Sequence, residues 1–296
     1  MKGLILINAY PNGEKFYRQA ERIAKELRAL GCPTDVKRNG EVCVTVGEDG
    51  TLSHNLTDKY SFIVYLDKDK YLGYALESCG FRLFNSAKAV EICDDKMQTY
   101  FALRNAGVRL AESIPAPLCY TPNAKVDEIF LSSVAARLGF PLVAKKSYGS
   151  FGAGVHLVHG MPELIQTEQE FLYSPHFYQR YIAESHGKDI RVIVVGGKAV
   201  TAMEREANEG EFRSNIELGG RGKPISQETF LRYATVAQQA SRALGLEYCG
   251  VDLLETESGA VVCEVNSNAF FEGIEQVTGV NVAKEYAMHI LRAIEQ

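Results

Sequence analysis

The stretch "CGVDLLETESGAVVCEVN", residues 249–266, decides how this chain is read. Val251 and Leu253 flank Asp252, and the apolar run Val261-Val262-Cys263 leads into Glu264, Val265 and Asn266. Side chains alternate across a strand, so Glu264 and Asn266 share a face. If 249–254 and 260–266 are neighbouring antiparallel strands, Asp252 converges on that face too. Three oxygen-bearing side chains in a setting that reads as buried need a partner. Hard divalent cations such as magnesium take oxygen ligands of this kind, usually together with substrate phosphates. The alternative is a structural salt bridge to an Arg or Lys, because bare buried carboxylates are costly.

Two further constellations lie upstream. In "AKKSYGSFGAGV" (144–155) Lys145 closes a strand, and Gly149, Gly152 and Gly154 let backbone N–H groups approach an anion. No G-x-x-x-x-G-K-[ST] is present, so this is not a P-loop; the plain alternative is a hairpin turn. The cations Arg191 in "GKDIRVIVV", Arg205 in "AMEREA" and Arg213 in "EFRSN" form the other set. Phosphoryl transfer needs positive clamps as well as metal. Any one of these arginines alone reads as a solvated charge.

The rest of the chain sets limits. Its 296 residues leave room for two or three lobes. A content of 46% hydrophobic and 23% charged residues is an ordinary water-soluble balance. The formal charge of −5 gives no support for a nucleic-acid partner. No apolar run approaches the length of a membrane span, and Met1 to Asn8 reads as a strand rather than a leader. Seven cysteines without a C-x-x-C read as reduced, buried thiols of a cytoplasmic protein. His156 and His159 fall on opposite faces of a strand, which gives no support for a metal site. Strands at 3–9, 34–38, 41–46, 61–67 and 81–85, with helices at 14–30 and 70–79, predict a small parallel α/β unit. No G-x-G-x-x-G follows its first strand. Beyond it the pattern predicts helices within 86–107 and at 126–138, 161–171, 226–244 and 279–294. It also predicts strands at 140–147, 155–158, 176–182 and a pair in 189–206 turning at Gly196-Gly197, with a polar loop over 207–224.

From about residue 86 to its end the chain resembles ATP-grasp ligases and, among them, RimK-type glutamate ligases. "FPLVAKKSYGSFGAGV", "QRYIAESHGKDIRVIVVGGKAVTAMERE", "EGEFRSNIELGG", "CGVDLL" and "CEVN…EGIEQVTGVN" occur in the family's order and spacing. The resemblance implies an α/β ATP-grasp fold, with α+β lobes and an N-terminal Rossmann-like pre-ATP-grasp domain. It divides the chain into 1–88, a small lobe with a glycine-rich lid at 89–182, and a C-terminal lobe with the metal site at 183–296. It implies that Lys96 and Lys145 contact ATP phosphates and that 149–154 closes over them. Arg180, Tyr181 and Ile182 become the hinge that reads adenine, and Asp189 the ribose ligand. Arg191, Arg205 and Arg213 become catalytic cations facing phosphates or the acyl intermediate, with Arg213, Ser214 and Asn215 beside the phosphates. Asp252, Glu264 and Asn266 become ligands of two magnesium ions, manganese being the alternative metal.

The implied reaction joins a carboxylate to an amine, such as an amino acid, through an acyl phosphate, with a protein, a carrier protein or a small molecule as acceptor. A homo-oligomer is the expected assembly. The competing readings are an ATP-binding protein without ligase activity and an ADP-forming kinase. Two departures from the family pattern stand out. Arg180 occupies a hinge position that is usually acidic, and "NSNAFFEG" replaces a usual Pro-Gly after the metal-binding asparagine with two aromatics.

Overall fold

The N-terminal unit runs β1 (Gly3–Ile7), α1 (Lys15–Ala29), β2 (Thr34–Arg38), the hairpin of β3 (Val44–Val46) and β4 (Leu52–His54), β5 (Phe62–Leu66), α2 (Lys70–Ser78) and β6 (Leu83–Phe84). This is a computed structural model, describing residues 1–11, 13–149, 152–214 and 219–295. Every residue of β1 and β5 is buried, as expected of central parallel strands covered on both faces. The sheet order is β2-β1-β5-β6, with all pairs parallel. Helix α1 buries Ala20, Ile23, Ala24 and Leu27, a stripe at helical spacing.

Next come α3 (Ala87–Asp94), α4 (Lys96–Leu103) and β7 (Arg109–Leu110). Asp95 caps α4 by accepting from the Met97 and Gln98 amides, which fixes Lys96 as the first residue of that helix. The second sheet is built from β8 (Ser113–Pro115), α5 (Glu128–Leu138), β9 (Leu142–Lys146), β10 (Val155–Val158), α6 (Met161–Phe171) and β11 (His176–Arg180). Its order is β10-β9-β11-β8, antiparallel throughout. Strand β8 is the edge strand of this sheet, a position that tolerates Pro115.

The remainder comprises β12 (Lys188–Val195), β13 (Lys198–Glu206), β14 (Arg221–Pro224), α7 (Gln227–Ala243), β15 (Tyr248–Thr256), β16 (Gly259–Asn266), α8 (Glu272–Thr278) and α9 (Val282–Glu295). The third sheet has the order β14-β13-β12-β15-β16-β7. Strand β14 corrects the expected loop over 207–224, since residues 221–224 pair with β13. Much of the segment 87–110 packs on this sheet. Ala89, Cys93 and Leu103 share a core with Val192 and Val262, and β7 pairs with β16.

Alternation along β12 and β15 sorts the two faces of the large sheet. Val192, Val194, Val251 and Leu253 pack under Tyr233, Ala237 and Ala240 of α7. Ile193 and Tyr248, on the other face, join a core that runs through Phe271, Tyr286 and Ile290 to Ile5 and Phe62. The N-terminal unit is therefore docked on the face that carries Arg191 and Asp252. All seven cysteines are free, but only Cys32, Cys93 and Cys249 are buried and Cys43 is exposed, which corrects the expectation of buried thiols. Cys43 borders the β3–β4 hairpin, whose residues lie mostly at the surface. Among the described residues no helix is long and apolar enough to cross a membrane.

Candidate active site

Strands β15 and β16 pair antiparallel with Asp252 opposite Glu264 and Gly250 opposite Asn266, as the sequence implies. The register slips between Asp252 and Leu253, whose partners are Glu264 and Val262, so Cys263 is the extra residue of a bulge. Val262 and Val265 stay in the core under α7, while Cys263 and Glu264 both reach the opposite side. The Tyr100 hydroxyl donates to the bulge carbonyls of Val262 (3.0 Å) and Cys263 (3.2 Å).

Asp252 is 3% exposed and sits in a chain of alternating charges. Arg191 donates to it through Nε and Nη2, each at 2.7 Å. Arg205 Nη2 lies 2.9 Å from the same carboxylate and also donates to Asp189, which Nε holds through Oδ1 at 2.7 Å. Burial would raise the Asp252 carboxyl, but the two guanidinium groups outweigh it and hold the group below its ordinary value. Burial likewise opposes charge on Arg205, and Asp189 and Asp252 together raise it above the usual arginine value. The salt-bridge alternative thus describes Asp252. Asp189 and Arg205, assigned by resemblance to ribose and phosphate, are bound to each other.

The donor set nevertheless fits a divalent cation. The Asn266 amide lies 3.4 Å from Asp252 Oδ2, so the two side chains converge. Glu264 has a third of its side chain exposed, with Lys96 Nζ 3.5 Å away. Carboxylate and amide oxygens on adjacent strands are the donors that magnesium takes.

A cavity of about 120 Å³ between the small and large sheets gathers most of the expected nucleotide residues. Lys145, Gly149, Gly152, Tyr181, Ile182, Asp189, Arg213 and Ser214 line it, together with Lys96, Arg180, Asp252 and Glu264. Lys145 is 8% exposed; its ammonium donates to Gln179 Oε1 at 2.8 Å and lies 3.8 Å from Cys263 Sγ. Among the described residues no carboxylate lies within ion-pair distance of it. Gln179 in turn donates to the Tyr100 hydroxyl at 2.8 Å, linking the lysine to the bulge of the large sheet. Neither Gln179 nor Tyr100 carries a sequence signal, because a buried amide or phenol looks like any core residue.

Strands β9 and β10 pair antiparallel, and Gly149 and Gly152 between them line the cavity, while Ser150 and Phe151 of the expected lid lie outside the described residues. Lys96 Nζ donates to Gly149 O at 2.8 Å, and Arg213 Nη1 donates to Gly152 O at 2.9 Å. Arg213 also binds Glu211, whose carboxyl it holds down at about 2. Gly154 does not line the cavity; at φ 69° its added Cβ would sit 2.9 Å from the Lys146 side chain. Asn215 lies outside the described residues. The Arg180 guanidinium is bound to Glu112 at 2.7 Å and to the carbonyls of Arg137 and Leu138, which offsets its reversed charge.

A second cavity of about 280 Å³ adjoins the first and shares Lys96, Gly149, Arg205 and Glu264 with it. Arg191 and Asn266 line this one, and its far wall is the N-terminal unit, with Asn8, Phe16 and Asp67. Asn8 and Asp67 directly follow β1 and β5 and Phe16 lies on α1, none of them marked by a motif. Burial raises the Asp67 carboxyl, although the Lys68 amide and Asn8 oppose this. The two aromatics of "NAFF" divide: Phe270 lines the cavity, whereas Phe271 is 2% exposed and belongs to the core.

A sequence profile of the RimK-like ATP-grasp domain matches residues 93–290. Beta-citrylglutamate synthase B of Danio rerio is 33% identical over 234 residues, covering 77% of this chain and 55% of that protein. A probable alpha-L-glutamate ligase of Thioalkalivibrio sulfidiphilus is 36% identical over 201 residues, covering 67% of this chain and 64% of its own length. The chain thus spans little more than half the length of the first of these. Among solved structures, the ATP-grasp ligase PsnB, complexed with a phosphomimetic variant of its minimal precursor, Mg and ADP, superposes with a TM-score of 0.67. That match is 17% identical and covers 99% of this chain and 98% of the other.

Proposed function

The chain belongs to the RimK-like ATP-grasp family, and on that premise we propose that it is an ATP-dependent carboxylate–amine ligase. The observation that carries this reading is the buried Lys145 ammonium, which among the described residues has no carboxylate within ion-pair distance and faces a cavity floored by Glu264 and Asp252. An unpaired buried cation is costly, and a bound anion removes the cost. Polyphosphate satisfies Lys145 and Lys96 together, with adenine against the Tyr181–Ile182 backbone and Gly149 and Gly152 along the cavity wall.

Asp252, Glu264 and Asn266 would hold magnesium, which neutralises phosphate charge when bound. The acid enters through the larger cavity. Its carboxylate oxygen attacks the γ-phosphorus, the bond to the bridging oxygen breaks, and ADP leaves. The amine nitrogen then attacks the acyl carbon, the carbon–oxygen bond to phosphate breaks, and the amine loses a proton to solvent or phosphate. Arg191, between Asp252 and the larger cavity, stabilises the oxyanion of the second step. The expected lid keeps water from the acyl phosphate. Glutamate is the first amine to test, since relatives are named as glutamate ligases and glutamyl-product synthases.

The test is ADP release across a panel of acids and amines with magnesium, followed by product masses. Expected is an acid–amine pair giving ADP, phosphate and a product lighter than the sum by one water. ADP with a phosphorylated acid as the final product would support the kinase instead. Absence of ADP with every pair would count against catalysis.

A further inference from the structure

Between β16 and α8 the chain runs from Ser267 to Phe271 without a strand or helix. Ser267, Asn268, Ala269 and Phe270 line the larger cavity, directly after Asn266. An irregular segment has no ladder to fix it, so its buried carbonyl oxygens need other donors. Side chains of the N-terminal unit supply them. Asn85, which follows β6 and is 1% exposed, donates through Nδ2 to Ser267 O at 2.9 Å and to Tyr248 O at 2.8 Å. Its Oδ1 accepts from the Glu247 and Tyr248 amides. Gln19 of α1 is buried and donates to Ala269 O at 3.0 Å and to Asn268 Oδ1 at 3.3 Å. Asn268 Nδ2 in turn donates to Leu66 O at the end of β5, at 2.8 Å. The Tyr248 hydroxyl adds a second bond to Ala269 O at 2.6 Å.

Three consecutive residues are thus each tied to a different element of the N-terminal unit. Ala269 and Phe271 also share a core with Ile23 and Phe62. Apolar contact is non-directional and does not set where a carbonyl points. Hydrogen bonds weaken steeply off axis, so they do. We propose that Gln19 and Asn85 are positioning residues for the acid site: from the N-terminal unit they set the course of 267–270 and, through it, the wall of the larger cavity. The inference rests on the ligase reading for that cavity. Gln19 does not line the larger cavity, so it acts through Asn268 and Ala269. Among the described residues, the nucleotide cavity takes none of its lining from 267–270. The effect therefore falls on the acid and spares ATP.

The test is Gln19→Met in the full chain, which keeps the length of the side chain and removes the donor. Ala269 O retains Tyr248, so this buried oxygen is not stranded. Circular dichroism with thermal melting checks the fold, and Gln19→Leu is a second variant. Leu27→Ala, fully buried on the same helix about two turns further on, is the control for lost stability alone. Hydrogen exchange is followed in peptides covering 264–271, and KM and kcat are measured for ATP and for the best acid of the panel. Expected in Gln19→Met is exchange at 267–271 about tenfold faster than in wild type, a KM for the acid raised about tenfold and a KM for ATP within about twofold. Leu27→Ala should lower the melting point at least as far and leave the KM for the acid within about twofold. Unchanged exchange at 267–271 in both Gln19 variants would overturn the proposal. So would a KM for the acid that rises equally in Leu27→Ala, or a KM for ATP that rises in step with it. If exchange quickens locally in Gln19→Met but wild type yields no ADP with any acid, the hold on the segment stands and the ligase falls. If wild type turns acids over and Gln19→Met matches it in exchange and KM, the ligase stands and the positioning role falls.

Discussion

Arg205→Met tests the buried charge ladder. The substitution retains apolar bulk and removes a cation that touches both Asp189 and Asp252. Asp252 keeps Arg191, but Asp189, 7% exposed, loses its ion-pair partner. Breaking a buried pair by removing one partner costs about 3–5 kcal/mol. At roughly 2 °C per kcal/mol for a chain of this size, the melting point should fall by about 6–10 °C. The pH dependence supplies the sign. Asp252 is held below its ordinary value, so its stabilisation is present above that value and is lost as pH falls through the depressed one. In the variant Asp252 keeps Arg191 alone, so the share of that stabilisation owed to Arg205 is missing above the depressed value. The gap between wild type and variant should therefore be widest near neutral pH and narrow as pH falls through that value. Adding Asp189→Asn should recover part of the loss. Thermal melts across pH measure all three. A loss under about 1 kcal/mol, or a gap that does not change with pH, would refute the reasoning.

Three other substitutions probe separate parts of the site. Lys145→Met removes an ammonium with no carboxylate partner among the described residues, so unfolding stability should stay within about 1 kcal/mol of wild type while ATP affinity, read by calorimetry, falls at least tenfold. Glu264→Gln alters a partly exposed carboxylate; melting should be nearly unchanged, and ADP formation should be abolished in the coupled assay. Gly250→Ala places a Cβ 2.7 Å from that of Ala269, so denaturant melts should show a loss of about 1–3 kcal/mol, largely restored by adding Ala269→Gly.

The sequence disclosed those parts of the site that repeat a local period. Alternation placed Glu264 and Asn266 on one face, and antiparallel pairing brought Asp252 opposite Glu264. It also anticipated the parallel N-terminal sheet, because β1 and β5 are continuous apolar runs. Long-range partnership was not legible. Nothing local says that Arg205 binds Asp189 and Asp252 at once, or that Gln179 bridges Lys145 to Tyr100. The bulge at Cys263 escaped the reading because it depends on register between two strands. The second cavity was hidden for the same reason, its wall being Asn8, Phe16 and Asp67 from a unit with no motif of its own. Of the two aromatics where the family pattern breaks, only the fold shows that Phe270 faces the site while Phe271 fills the core.

The central claim is that a carboxylate is activated by ATP in the cleft shared by Lys96 and Glu264. Its most direct test is a turnover run with an acid labelled with oxygen-18 in its carboxylate, followed by mass spectrometry of the released phosphate. Attack on the γ-phosphate and later loss of phosphate from the acyl group predict one labelled oxygen in each phosphate. Phosphate without label, at the same ADP yield, would contradict the acyl-phosphate route.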